Sequence, residues 1–598
     1  MGRWVERILK FSTDSVSLAA LLIAVSGFVS RLLGFVRDRL LAHTFGAGEV
    51  LDAYYAAFRV PDMLFELLVA GALSAAFVPV FTQLWTRGDT AAAWRMAQGV
   101  AMMLFAVLVV VSGAAAWMAP WLVPLLVPGF DEDTMALTIQ LTRMLLLSPV
   151  LLGMSALCSS VLVARRRFAA YALAPLLYNG GILFGIIVLV PTMGVSGVAG
   201  GVIIGALLHL VVTSGAAMLT GLATAEWRWA APWNDTHVRR VIRMMVPRMA
   251  SAATWQLHLL AVAFFASLST AGALAAFTFA YNISMIPVGL IGVPFAVAAF
   301  STLSAHAARS DMDAFVRMII RTVRRALFLV TPLLVVLVVL RAQIVRVVLG
   351  SGVFDWADTI MTFQMVGVLA ISLFAAVMTP LLSRAFYALN DTVTPLISGL
   401  VSVAVTVVGI SVLREVFGVY AIALGVSLGL IVHFLLLFVF LERRVRHAAL
   451  TEMHNAVLGA LGAALLGSGV TVLVAHFEGI SLLPQTVIGV MGLAAVWVGV
   501  FVVIAVAVRV PAFFVQLVSM AAISVAVMQS LKVVVGTVTD LSTMPEVLAQ
   551  LVISGGAGVA VYLFLGQMFG MKEVAALRTR VWRLVMPRAV AGGRWGNS

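Results

Sequence analysis

Charge is scarce in this chain of 598 residues: 11% are Asp, Glu, Lys or Arg, against 63% that are hydrophobic. A soluble domain carries about a quarter charged residues, so this composition excludes a water-soluble enzyme or binding domain and indicates a polytopic membrane protein. Cysteine is nearly missing. The lone Cys158 excludes a disulfide within the chain, and without a Cys/His cluster around it a structural zinc site has no ligand set. No Walker-type loop is present, so nothing in the sequence reads as an ATPase. Every external loop is short, which argues against a membrane glycosyltransferase or ligase, since such an enzyme needs a sizeable loop carrying a general base.

What is present is a succession of apolar runs long enough to cross the hydrocarbon core, which takes about 20 residues. The pattern predicts helices over 15–36, 52–84, 92–125, 135–163, 169–190, 195–220, 238–269, 272–301, 312–349, 358–388, 394–413 and 417–441. Four more follow over 455–475, 484–508, 511–536 and 546–569, for about sixteen crossings in all. The first run carries Arg31 and no small-residue cleavage pattern follows it, so it is expected to be a retained helix rather than a signal peptide. A net charge of +13 is not a nucleic-acid signature here, because the basic residues alternate between the ends of successive runs. Clusters such as Arg165-Arg166-Arg167 and Arg443-Arg444 mark inside loops, while Asp131, Glu132, Asp133, Asp355 and Asp358 mark outside ones. Both termini are then expected in the cytoplasm.

The few charges within apolar segments are clustered. Asp52, Arg59, Asp62 and Glu66 are spaced by 7, 3 and 4 residues, the spacing of one helical face. Arg31, Arg37 and Asp38 lie on the preceding run, where Arg31, Gly34 and Asp38 share a face. An ionised side chain facing lipid costs about 3 kcal/mol on insertion scales, so such residues are expected to turn toward a wet cavity. Arginine suits phosphate there, being planar, bidentate and charged at any relevant pH. Two structural readings stand beside this one: Arg31 and Asp38 as an ion pair fixing helix packing, and Arg59 and Asp62 as markers of a helix end.

An internal repeat sharpens the picture. Pro128-Gly129-Phe130-Asp131, with Thr134 after it, resembles Gly352-Val353-Phe354-Asp355, with Thr359 after it. Arg167-Phe168 leading to Pro175 resembles Arg384-Ala385-Phe386 leading to Pro395. The copies are about 220 residues, or six helices, apart, so they point the same way across the membrane. The expected fold is an all-α membrane protein with two six-helix lobes related by an axis along the membrane normal, a central cavity between them, and about four additional C-terminal helices. The corresponding domains are 1–225, 226–447, 448–571 and a basic cytoplasmic tail over 572–598.

Ser30-Arg31-Leu32-Leu33-Gly34-Phe35-Val36-Arg37-Asp38, followed by Phe45-Gly46-Ala47-Gly48 and Asp52-Ala53, resembles the opening of the MurJ/MviN lipid II flippases, of the multidrug/oligosaccharidyl-lipid/polysaccharide exporter superfamily. The likeness continues at Ala57-Phe58-Arg59-Val60-Pro61, Pro247-Arg248, Pro287-Val288-Gly289-Leu290 and Asp391-Thr392-Val393-Thr394-Pro395, and so spans the first twelve helices. The resemblance implies export of a lipid-linked peptidoglycan precursor across the bacterial inner membrane by alternating access, without covalent chemistry or a cofactor. It implies a substrate site at Arg31, Arg37, Asp38, Asp52, Arg59 and Asp62, with Arg248 and Asn282 as candidates from the second lobe. Lipid II, membrane lipids and cell-wall synthesis proteins are the partners implied, nucleic acid is not, and a monomer is expected.

The chain departs from the family pattern in places. Phe65 stands at the second-helix arginine position, Ala70 replaces a common Glu, and Asn282 and Met285 stand where many members carry Arg and Glu. Some relatives bind sodium after the Thr-Pro motif, but Ser402 and Thr406 lie there, so no metal is expected. Export of another undecaprenyl-linked saccharide or of a small molecule, and a non-transporting membrane scaffold, remain the alternatives. Elsewhere, Asp391 reads as a loop cap, Gly200, Gly201 and Gly205 as helix-packing positions, Pro287, Pro294 and Pro380 as hinges or packing features, and His209, His258 and His433 as buried polar contacts.

Overall fold

The computed structural model describes residues 16–70, 73–222, 232–446, 498, 511–538 and 543–585. Among these the regular structure is entirely helical. In chain order the α-helices are α1 (Val16–Phe45), α2 (Glu49–Ala57), α3 (Arg59–Phe65), α4 (Leu73–Thr86), α5 (Thr90–Leu126), α6 (Glu132–Leu145), α7 (Leu147–Ala164) and α8 (Phe168–Phe184). Next come α9 (Val190–Met193), α10 (Val195–Ala217), α11 (Thr236–Ser267), α12 (Ala273–Ser284), α13 (Val293–Ala308), α14 (Met312–Val339), α15 (Arg341–Leu349), α16 (Trp356–Ala370) and α17 (Leu373–Ala388). The rest are α18 (Val393–Phe417), α19 (Ala421–Val445), α20 (Ala512–Val538), α21 (Met544–Met568) and α22 (Lys572–Val585). The expected helices over 455–475 and 484–508 fall outside the described residues, apart from residue 498.

Among the described residues nine helical runs are long and apolar enough to cross a membrane, and α16 with α17, bent by 50°, makes a tenth. One of the nine, Val393–Val445, is 53 residues long, more than twice a single crossing. It folds back on itself. Gly418, at φ +53°, opens a 3-10 turn between α18 and α19, and the two helices then run antiparallel, with Gly425 against Thr406 and Gly429 against Ser402. The protein is a multi-pass membrane protein.

Two expected helices are interrupted. The run 52–84 comprises α2, α3, a π-turn at Glu66–Ala70, and α4. The run 272–301 comprises α12, a π-turn at Val288–Gly292, and α13, with Pro287 just before the π-turn and Pro294 in the first turn of α13. Proline removes a backbone donor, and the wider turn absorbs the break.

Packing divides the chain into two compact units. One comprises Met1–Phe279, Val348–Thr362 and Gly399–Gly429, the other Ala280–Val347, Phe363–Ser398 and Leu430–Ser598. In the first, α8 and α10 meet along a glycine seam. A Cβ on Gly201 would lie 2.7 Å from Gly185 Cα, and one on Gly205 would lie 2.4 Å from the Tyr178 carbonyl oxygen. Gly200, by contrast, meets only Leu189 Cδ1 at 3.4 Å, so it stands aside from the seam that Gly201 and Gly205 form. In the second unit α20 and α21 pack on α14. Tyr562 is fully buried and its hydroxyl donates to the Phe328 carbonyl at 3.0 Å, while Gly558 makes room for Met528.

Helix starts follow the capping chemistry read from the repeat. Asp131 accepts from the Asp133 and Thr134 amides at the start of α6, and Asp355 accepts from the Asp358 amide at the start of α16. Asp391 likewise accepts from the Val393 and Thr394 amides and from Thr394 Oγ1, and it lies 3.7 Å from Arg444.

Two outcomes test this packing. Gly201→Val should destabilise the purified protein by about 1–3 kcal/mol, the range for overpacking, while Gly200→Ala leaves the thermal midpoint unchanged. Burial raises the Asp391 carboxyl, but the Thr394 bonds and Arg444 outweigh it and hold the group below the ordinary aspartate range. Its contribution is therefore present above the unfolded value and lost as pH falls through the folded one. Asp391→Ala should melt below wild type near neutrality, and the gap should close as pH falls below the ordinary aspartate range.

Candidate functional site

The charged residues of the first two spans occupy three different environments. Arg31 is exposed on α1, and a Cβ built on Gly34 or Gly27, one turn to either side, meets no atom within 4 Å. That face of α1 is open. Arg37 and Asp38 form an ion pair instead: Arg37 Nη2 donates to Asp38 Oδ1 at 2.8 Å and Arg37 Nε to the same oxygen at 3.0 Å. Their side chains are 27% and 6% exposed, so the pair is half open to its surroundings. Arg31 and Arg37, six residues apart, thus serve different surfaces, as the helical angle between them requires.

The stripe on the second span is broken by the interruptions at Phe58 and at the π-turn. Asp52 and Arg59 are buried at 2% and 7% exposure, Asp62 is exposed, and Glu66 is half-buried. Arg59 Nε is buried with no hydrogen-bond partner among the described residues, as is the hydroxyl of Tyr55 one turn before it. Asp62 lies within electrostatic range of Arg59, Glu66 and Arg37, and Tyr178 of α8 within range of Asp62 and Arg37. Tyr54, Tyr55 and Tyr178 therefore belong to the same neighbourhood as the charges. Tyr54 and Tyr55 are near Asp52 and Arg59 in sequence, whereas Tyr178 carries no such signal.

Asp52 does not face an arginine. Its two carboxylate oxygens accept from the backbone amides of Gly272 and Ala275, each at 2.8 Å, so it caps the first turn of α12 from another helix. Helix N-termini leave amides unsatisfied and carry partial positive charge, and a buried carboxylate answers both. Gly272 is required for this approach. Its φ is +81°, and a Cβ there would lie 1.8 Å from the Ala47 carbonyl oxygen.

A second contact closes the same turn. The Ala47 amide donates to Asp358 Oδ2 at 2.9 Å, and the Val353 amide donates to the His43 carbonyl at 2.9 Å. Gly352, at φ +64°, lies so close to His43 that a Cβ would reach 2.2 Å from its carbonyl oxygen. The first copy's Gly129 donates to Ser267 Oγ at 3.2 Å at the end of α11, while the second copy's Gly352 turn covers His43 at the end of α1. Each turn thus lies on the last residues of a helix distant in sequence, the Gly129 turn on α11 and the Gly352 turn on α1. Beside the Gly129 turn and the end of α11 lies a cavity of about 200 Å³, whose lining includes Glu49, Asp52, Asp131, Thr134, Ser267 and Thr270.

Of the second-lobe candidates, Asn282 is half-buried on α12. Arg248 is on α11, but its side chain falls outside the described residues. No group of three His, Cys, Asp or Glu among the described residues could hold a metal ion. Replacing Asp52 by Ala strands two buried amides and should lower stability by about 1–3 kcal/mol in thermal unfolding, while Asp52→Asn, which keeps one acceptor, should recover part of it.

Comparison with known proteins assigns the family. The family described as "Lipid II flippase MurJ" matches residues 41–488. A probable lipid II flippase MurJ of Rhizobium tropici is 27% identical over 484 residues, covering 77% of this chain and 90% of the relative. The lipid II flippase MurJ of Burkholderia cenocepacia is 26% identical over 468 residues, covering 76% and 89%. A solved structure, "Lipid II flippase MurJ, inward closed conformation", shares the fold with a TM-score of 0.66 at 18% identity, over 92% of this chain and 98% of its own. An inward-facing multidrug resistance transporter of the MATE family and MOP superfamily shares it at 0.58 and 16% identity, over 72% of this chain and 99% of its own. With more than half of its length matched by the family, the chain belongs to the lipid II flippase MurJ family.

Proposed function

We propose that this protein moves lipid II, a lipid-linked diphosphate saccharide, from the cytoplasmic to the outer leaflet of the bacterial inner membrane. One observation carries the reading: Arg31 stands exposed on an apolar span beside Gly27 and Gly34, whose missing side chains leave open space around it. A diphosphate needs its hydration replaced without being held too tightly. A guanidinium with room around it does this, by offering two parallel N–H donors and keeping its charge in a dry setting.

Arg37 is the second arginine of the site and Asp38 its resident counter-ion. Phosphate arriving at Arg37 displaces Asp38, and departure restores the pair, so the guanidinium is never left bare. Arg59 and Asp62 extend the charged surface, and Arg248 and Asn282 supply donors from the second lobe. Asp52 acts differently, by holding α2 to the first turn of α12. Alternating access requires contacts that form in one state and break in another, and a carboxylate capping another helix's amides suits that role.

In this reading residues 1–225 and 226–447 are the two lobes, residues 448–571 are accessory membrane helices, and the tail over 572–598 is cytoplasmic with the N-terminus. The alternation of basic and acidic loops supports that orientation. The protein acts as a monomer beside the cell-wall synthesis enzymes that consume its product.

The test is replacement of an essential lipid II flippase in a depletion host. The chain should restore growth, and Arg31→Ala, at equal membrane abundance, should not. Growth with Arg31→Ala equal to wild type would overturn the role given to that residue.

A further inference from the structure

His258 lies in the apolar stretch Thr254–Ser267 of α11, is 3% exposed, and among the described residues its polar contacts are with oxygen atoms. Nδ1 is 3.0 Å from the Thr254 carbonyl oxygen, and Nε2 is 3.1 Å from Ser402 Oγ on α18. Ser402 Oγ is itself 2.6 Å from the carbonyl oxygen of Gly429 on α19. Two oxygens at that separation need a hydrogen between them, and a carbonyl cannot supply it, so the Ser402 hydroxyl donates to Gly429. Ser402 then has only lone pairs to offer the ring, and the Thr254 carbonyl also has only lone pairs.

A neutral imidazole has a single N–H. In either tautomer it would leave one ring nitrogen lone pair against an oxygen lone pair in a site that excludes water. An imidazolium has an N–H on each side and makes every bond that the geometry offers. The helices approach one another closely beside the ring. A Cβ on Gly429 would meet Thr406 Oγ1 at 2.1 Å and the Ser402 carbonyl at 2.8 Å, and the Trp255 ring is stacked on the imidazole at 5.5 Å and 25°. Thr406 Oγ1 is buried and has no hydrogen-bond partner among the described residues, so the neighbourhood offers further acceptor capacity.

We propose that His258 is a proton-binding site inside the membrane: the imidazole takes up a second proton, and the imidazolium ties α11 to α18 and α19 through Thr254 and Ser402. The balance is simple, one imidazole and one proton giving one imidazolium, with no other reactant. The ionisable side chains of these helices include His237, Arg239, Arg240, Arg243, Arg414, Glu415, His433, Glu442, Arg443 and Arg444. Among the described residues none acts on the ring, and its electrostatic setting comes from burial and the Thr254 carbonyl. The two acceptors favour the doubly protonated ring because each takes one of its N–H groups. Moving α11 away from α18 removes one acceptor and releases the proton, so proton occupancy and the packing of these three helices are linked. The inference stands whichever lipid is carried.

Trp255 provides the readout, because a stacked imidazolium quenches indole emission and a neutral imidazole does so far less. In full-length protein in lipid nanodiscs, emission should fall reversibly on acidification between about pH 8 and pH 5, the range in which histidine changes charge. The change should vanish in Trp255→Phe and in His258→Gln, and persist in His209→Gln. Ser402→Ala, which deletes one acceptor, should lose at least half of the quenching at about pH 6.5. Protein labelled with nitrogen-15 in histidine should show both His258 nitrogens protonated on the acid side, which covers the case of a variant that fails to fold. A His258 spectrum with one protonated nitrogen throughout, or quenching unaffected by His258→Gln, would overturn the proposal.

Discussion

A buried carboxylate bonded to the amides of another helix is the constraint on which the first unit depends. Asp52 is nearly sealed from its surroundings, and an ion taken out of water is tolerated only when its lone pairs are filled. Gly272 and Ala275 fill them, and Gly272 can do so because it has no side chain to strike Ala47. Remove any of the three conditions and the carboxylate, the helix start or the turn is left in conflict. The neighbouring bond from Ala47 to Asp358 and the seat of Gly352 on His43 are built on the same principle of backbone polar groups met by side chains and close approach.

The charges of the first two spans separate into distinct tasks when their surroundings are compared. Asp52 is engaged by backbone, Arg37 and Asp38 by each other, and Arg31 is left open beside two glycines. Arg59, whose buried Nε has no hydrogen-bond partner among the described residues, is the costly member, and Asp62 and Tyr55 are the groups that act on its charge. Two neighbouring clusters of charge in the sequence thus become a cap, a pair, an exposed cation and a buried one.

Much of this was legible in advance, and the limits have physical causes. Hydropathy and loop charge located the apolar helices, because lipid enforces length and polarity strictly. The repeat at Gly129 and Gly352 was visible as a pattern, yet its use was not, since a motif does not reveal which helix end it will cover. The break of the second span escaped notice because no residue near Phe58 or Glu66 is a strong breaker apart from Pro61, which sits at the start of α3, where proline is tolerated. Asp52 was singled out for its charge, but its partners are main-chain amides some 220 residues away, and amides leave no trace in composition. His258 and Ser402 looked bland for the same reason: their significance lies in who donates to whom, which only coordinates supply.

The bond between Ala47 and Asp358 spans 311 residues of sequence. On a ribosome, the end of the first helix must therefore wait through the synthesis and insertion of several later helices before its final partner exists. Contacts so distant in sequence carry a large loop-closure entropy and form late. Until then the Ala47 amide in the glycine-rich turn after α1 lacks its final acceptor, and the amino-terminal segment is only partly assembled while the chain is being made.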